Sequence, residues 1–200
     1  MMQRERGAPR LDRVAVSLPS LDRCLELLEA HGMLPHIREH SLRVLQVARQ
    51  LGEALSAAGT PLYLPLIEAG ALLHDLGKTP CFRNGQKHAE WGAAVLLEMG
   101  YPEVARIVKE HVYLNADPAV MQSPGEAEVV NYADKRVLHT RVVTLSERFA
   151  DIMERYGRTP EARARLAALE IKFQVLEDKI FAPLDLRPMD LLQLNLRRDQ

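Results

Sequence analysis

LYLPLIEAGALLHDLGK, residues 62–78, is the stretch on which the fold turns. Leu62, Leu64, Leu66, Ile67, Ala69, Ala71, Leu72 and Leu73 cover nearly every side of a helix, so the segment predicts a helix buried on all faces at the centre of a bundle. Gly77 is its expected C-terminal cap. Immediately before that cap stand His74 and Asp75. A carboxylate there faces the negative end of the helix dipole and is desolvated, and both effects raise its energy unless a cation sits close by. Lys78 could supply that charge, and so could a divalent metal ion. Within this stretch alone, an ordinary capped helix end and a ligand pair both stand.

Outward from it, the apolar spacing is helical throughout. Ser20 predicts an N-cap for LDRCLELLEA, with Leu21, Cys24, Leu25 and Leu28 on one face and an end at His31-Gly32. After Pro35, a broad stripe of Ile37, Leu42, Leu45, Val47, Ala48, Leu51 and Leu55 predicts a long helix ending near Gly59. TPCFRNGQK, following the central helix, reads as a loop carrying Arg83 and Lys87 without an acid, either a phosphate contact or a solvated turn. Helices are then expected from His88 to Gly100, from Pro102 to His111, from Glu126 to Val137 and from Ser146-Glu147 to about Tyr156. From Pro160, capped by Thr159, the last long helix places Ala162, Leu166, Leu169, Phe173, Leu176 and Ile180 on a coiled-coil-like seam. Val14, Val16 and Leu18 alternate too briefly to predict a strand, and no repeat or composition shift marks a second folding unit. The expected fold is all-α, one helical bundle, with residues 1–19 as an N-terminal extension, 20–158 as the core and 159–200 as helices packing on the core or on a dimer partner.

Composition narrows the function classes. With 47% apolar and 26% charged residues among 200, the chain is an ordinary globular protein with its own core. A net charge of -1 gives no reason to expect a nucleic-acid or membrane-surface partner. Cys24 and Cys81 are too few for a disulfide framework or a cysteine zinc site. The basic start MMQRERGAPR is followed by no apolar signal region, and the expected location is cytoplasmic.

His40, His74, Asp75, His88, His111 and Asp134 share one description: each lies at a helix end or beside an apolar stripe. A single histidine of this kind is ordinarily a hydrogen-bonded one, and Asp134 has an ion pair with Lys135 or Arg136 as its ordinary explanation. As a set they read as ligands. Mixed imidazole and carboxylate donors suit manganese, iron, cobalt, nickel or zinc better than calcium, with magnesium also compatible.

In order and context, HSLRV, ALLHDLGK, KHAEWGAAVL, IVKEHV and NYADKRV resemble the HD-domain metal-dependent phosphohydrolase superfamily, over about residues 34–148. The resemblance implies an HD-type helical core in which His40, His74, Asp75 and Asp134 bind one metal ion. His88 and His111 match the histidines of subfamilies that hold two, with Asp75 shared. It implies a catalytic role for Asp75 and for Lys78, which matches the family's basic residue after the pair, and Arg83 and Lys87 are further candidates for binding a phosphorylated substrate. His36, one turn before His40, competes with it as a ligand, and His40 is preferred because it opens the HSLRV match. Gly100-Tyr101-Pro102 lies outside the context that marks the superfamily's cyclic-dinucleotide phosphodiesterases. The implied function is hydrolysis of a nucleotide or related phosphoester or phosphoanhydride by activated water. Two alternatives use the same residues: a di-iron oxygenase of the superfamily, and a non-catalytic nucleotide sensor signalling through a homodimer seam.

Overall fold

A computed structural model describes residues 17–82, 84–115, 117–119 and 123–196. Val14, Val16, Arg83 and the first thirteen residues, on which expectations were placed above, lie outside that set. The described chain is a helical bundle in the order α1 (Leu21–Ala30), α2 (Pro35–Ala57), α3 (Leu64–Leu73), α4 (Lys78–Cys81), α5 (His88–Glu98), α6 (Pro102–Glu110), α7 (Glu126–Lys135), α8 (Leu145–Tyr156) and α9 (Pro160–Phe181), closed by a 3₁₀ helix, Pro188–Asn195. Its fold class is all-α.

The caps show why the elements begin where they do. The hydroxyl of Ser20 accepts from the Arg23 N–H at the start of α1, and that of Thr159 accepts from Ala162 at the start of α9. Helix α8 begins one residue before Ser146 because Thr144 and Glu147 form a reciprocal capping box there. Pro35, Pro65, Pro102 and Pro160 occupy first turns, where no intrahelical N–H is needed.

Helix α3 packs against α1, α2, α6 and α7, and residues 69–77 are buried without a break. It starts later than its apolar run because Tyr63 is extended ahead of Pro65. Its end differs from the expectation in a useful way. The helix stops at Leu73, and residues 74–77 continue as tight turns, Leu76 donating to the Leu73 carbonyl and Lys78 to that of Asp75, before α4 begins. Gly77 is therefore no left-handed cap. Its φ is -82°, within reach of any residue, and glycine is needed for another reason: a Cβ there would collide with the backbone carbonyl oxygen of His88. The TPCFRNGQK segment correspondingly opens in a helical turn rather than as loop throughout.

Between α7 and α8, β1 (Val137–Leu138) and β2 (Arg141–Val142) form an antiparallel hairpin, Val137 opposite Val142. Strands of two residues are too short to leave an alternating pattern. His139, in the two-residue turn, has φ +56°, a conformation that His tolerates better than branched residues do. The 3₁₀ helix lies against this hairpin, with the Asn195 side chain accepting from the Val142 N–H and donating to its carbonyl. Behind α7, the fully buried Arg136 donates to the carbonyls of Val143 and Pro188 and to the Tyr132 hydroxyl, and lies 3.3 Å from Glu177. One guanidinium thus fastens the C-terminal segments to the bundle.

Candidate metal centre

Helix ends do the positioning. His74 follows α3 and donates its Nδ1–H to the Ala71 carbonyl at 2.7 Å; His111 follows α6 and donates to Val108 at 2.6 Å. In each case the imidazole satisfies a carbonyl that the end of the helix leaves open. The tautomer is thereby set, and Nε2 carries the outward lone pair. His40, within α2, reaches the same state through the His139 carbonyl, 2.8 Å from its Nδ1. The end of α6 is held in turn by Asn131, whose Nδ2 donates to the carbonyls of both Glu110 and His111.

The lone pairs converge on two carboxylates. Asp134 Oδ1 is 3.0 Å from His40 Nε2 and 3.6 Å from His74 Nε2. Asp75 turns one oxygen to each side of the centre. Its Oδ2 lies 3.1 Å from His74 Nε2 and 3.8 Å from His40 Nε2, while Oδ1 lies 3.5 Å from His88 Nε2 and 3.6 Å from His111 Nε2. Two groups result, His40 with His74 and Asp134, and Asp75 with His88 and His111, each with its ligand atoms within 4.8 Å of one another. The latter group's imidazole nitrogens face each other at 3.1 Å.

Lysines compensate the carboxylates only partly. Lys78 Nζ sits 2.6 Å from Asp75 Oδ2, and Lys135 Nζ sits 2.5 Å from Asp134 Oδ2. Both inexpensive explanations raised by the sequence, Lys78 for Asp75 and Lys135 for Asp134, are therefore present. They do not finish the job. Among the described residues, Asp75 Oδ1 and His74 Nε2 stay buried without a well-formed hydrogen bond, a cost a native core rarely leaves uncompensated. A divalent cation satisfies a lone pair and a carboxylate oxygen together, and the donor set of imidazoles and carboxylates fits such an ion.

The electrostatics agree. Burial works against ionising Asp75, yet His74 and Lys78 hold its carboxyl well below the usual range. Burial likewise opposes ionising Asp134, and Lys135, His40 and His74 outweigh it. With no ion bound, the two carboxylates overcome the effect of burial and push His74 up to about 10, so its Nε2 then holds a proton that a bound cation would displace. Burial prevails at His88, pushed down to about 4, and also lowers His111, with Asp75 opposing in both cases. Asp75 and Asp134 raise Lys78 against its burial, keeping it an ammonium.

The structure thus brings together His40, His74, Asp75, His88, His111, Asp134 and Lys78. His36 is exposed, away from the group that contains His40. Lys87 departs from its expected role: it is exposed, pairs with Glu90 at 3.0 Å, and does not line the cleft at the centre, because it precedes α5 and turns along that helix's outer face. Three contributors were not picked out from the sequence. Asn131, inside NYADKRV and one helical turn before Asp134, could have been found from that spacing; the His139 carbonyl left no signal; Arg148 lies at the very end of the family-like stretch.

Gly77 gives a local test. Gly77→Ala should force the start of α5, and His88 with it, away from Asp75. Metal affinity of the Asp75, His88 and His111 group should fall by about 10- to 100-fold, as for other changes that misalign a ligand, with the His40 group less affected. A metal titration of the purified variant reads this directly.

A helical bundle that gathers histidines and aspartates able to hold a metal ion fits one class, the HD-type metal-dependent hydrolases. The HD domain family matches residues 37–138, more than half of the chain, and the chain belongs to that family. Its members bind divalent metal ions. The chain is 28% identical over 151 residues to a tRNA (cytidine(56)-2'-O)-methyltransferase of Picrophilus torridus, covering 70% of this chain and 41% of that protein. It is 25% identical over 146 residues to an uncharacterized protein of Methanocaldococcus jannaschii, covering 67% of this chain and 85% of the other. A Thermoplasma volcanium protein, also named a tRNA (cytidine(56)-2'-O)-methyltransferase, is 32% identical over 96 residues, 48% of this chain and 26% of its own length. The chain therefore spans less than half the length of the methyltransferases it matches. No solved structure matches it significantly. Among the described residues, no helix is long and apolar enough to cross a membrane.

Proposed function

We propose that the protein is a phosphohydrolase that cleaves a phosphoester or phosphoanhydride bond of a nucleotide or related small molecule. The observation that carries this reading is Asp75, which presents one carboxylate oxygen to each of two histidine groups. His40, His74 and Asp134 would hold one divalent ion, His88 and His111 a second, with Asp75 shared. When bound, such ions supply an activated water and neutralise the oxygens of a phosphoryl group. The chain's own contribution is orientation and charge. Backbone carbonyls at Nδ1 fix three of the imidazoles, as hydrogen bonds from ligating histidines commonly do. Lys78, at the floor of the cleft with its side chain 42% exposed, offers an ammonium to phosphoryl oxygens as charge grows there. The described lining of the cleft includes no serine, threonine or cysteine, which favours water over a hydroxyl or thiol nucleophile of those types. The chain's overall charge of -1 favours a small molecule over a nucleic acid. A cytoplasmic location and a homodimer complete the proposal.

The test is a metal analysis of the purified protein together with phosphate release from nucleoside mono- and polyphosphates, dinucleoside polyphosphates and cyclic nucleotides, each with manganese, iron, cobalt, nickel, zinc and magnesium. Release that depends on metal and stops with chelator is expected. Oxygen uptake with iron and no phosphate release would overturn the reading in favour of an oxygenase; tight nucleotide binding without turnover under every metal would overturn it in favour of a sensor.

A further inference from the structure

Helices α8 and α9 lie beyond the residues that the family matches, yet they wall the cleft over Asp75 and Asp134. The cleft has a volume of about 690 Å³, far more than a lone phosphate needs and within the usual span of small-molecule sites. One stripe of α9 serves two ends. Phe173, Leu176 and Ile180 are buried in the bundle, whereas Ala162, Leu166 and Leu169, earlier on the same stripe, are half-buried because they face the cleft. Arg165 and Lys172 project from that face too.

The cations of the cleft are not balanced by its acids. Asp75 and Asp134 are already engaged by Lys78, Lys135 and the histidines. Arg148 spends one nitrogen on Asp151 at 3.0 Å and leaves its Nε buried with no partner among the described residues, a donor without an acceptor. Arg165 and Lys172 make no ion pair or hydrogen bond among the described residues. Ions held by the histidine groups would add still more positive charge. Beside these cations the wall is apolar, with Ile152 and Leu166, and Tyr156 stands at the cleft with 66% exposure, suited to the flat face of a base.

We propose that α8 and α9 form a recognition wall for a nucleoside polyphosphate, in which Arg148, Arg165 and Lys172 hold the phosphates beyond the one placed over Asp75 and Asp134, and the base rests near Tyr156. This rests on the phosphohydrolase reading and adds the substrate class to it. Guanidinium and ammonium groups bind successive phosphates as charge-assisted donors, so each phosphate should add to recognition.

The experiment compares the metal-loaded protein with its Arg165→Gln/Lys172→Gln double variant, both positions being exposed, on p-nitrophenyl phosphate and on adenosine mono-, di-, tri- and tetraphosphate. For the unaltered protein, kcat/KM should rise by about 10-fold for each phosphate engaged. The double variant should lose that rise while keeping its metal content and its turnover of p-nitrophenyl phosphate. Equal losses on every substrate, or none, would overturn the wall and leave the phosphohydrolase reading standing. Absence of turnover on all of them would overturn that reading instead. The wall is then judged by calorimetry alone: inorganic triphosphate should bind tighter than phosphate, a preference lost in the double variant, and equal binding would overturn it. Preference for a 5'-phosphorylated oligonucleotide over adenosine triphosphate would also overturn it, in favour of a nucleic-acid ligand.

Discussion

Replacing Asp75 with asparagine should leave a folded protein whose phosphohydrolase activity is lower by on the order of 10³-fold or more, beyond the 10- to 100-fold typical of residues that only orient a ligand. Asparagine has nearly the same shape, so at a position 1% exposed it fills the same space. What disappears is charge and symmetry. The amide carries one acceptor oxygen in place of two, and no negative charge, so it cannot serve both histidine groups at once. Metal content should therefore fall at both groups, whereas His111→Ala should deplete only its own. Circular dichroism and thermal melting of Asp75→Asn check that the fold survives, and initial rates with added metal give the loss. Near wild-type activity in this variant would remove Asp75 from the centre of the mechanism.

The second large effect is on stability. Arg136→Ala should destabilise the protein by about 3–5 kcal/mol, the range found when one member of a buried charged network is deleted. For a chain of this length that corresponds to a fall of about 10 °C in the melting midpoint. The guanidinium is fully buried, and its removal strands the carbonyls of Val143 and Pro188 and leaves Glu177 without its cation, while the Tyr132 hydroxyl loses a donor and keeps only its own bond to Glu177. The loss should appear in a denaturant titration. At a temperature where the variant is still folded, its metal content should be unchanged, since the side-chain partners of Arg136 are Val143, Tyr132, Pro188 and Glu177 and none of the residues of the metal centre.

Much of this architecture is legible in the sequence because it is local. Caps at Ser20 and Thr159, prolines in first turns and the apolar run of α3 each act over a few residues, and the positions of His74 and His111 at helix ends follow from the same signals. Asp75 looked anomalous for a correct physical reason, a buried carboxylate at the end of a helix. The parts that were not legible depend on distant segments. Gly77 was expected as a cap because glycine commonly ends helices, but its requirement comes from the backbone of His88, which only the folded chain brings against it. The carbonyl that fixes His40 belongs to His139, 99 residues away. A stripe of small and apolar residues on α9 looks like a uniform seam in one dimension; only the bundle reveals that its first half borders the cleft and its second half fills the core. Lys87 had charge and proximity in sequence, and the direction of α5 carries it to Glu90.

The most direct test of the central claim is anomalous diffraction from a crystal of the protein grown with manganese. The account predicts two peaks per chain, one bounded by His40, His74 and Asp134 and the other by His88 and His111, with an oxygen of Asp75 on each. A single peak, or peaks that leave Asp75 unligated, would contradict it.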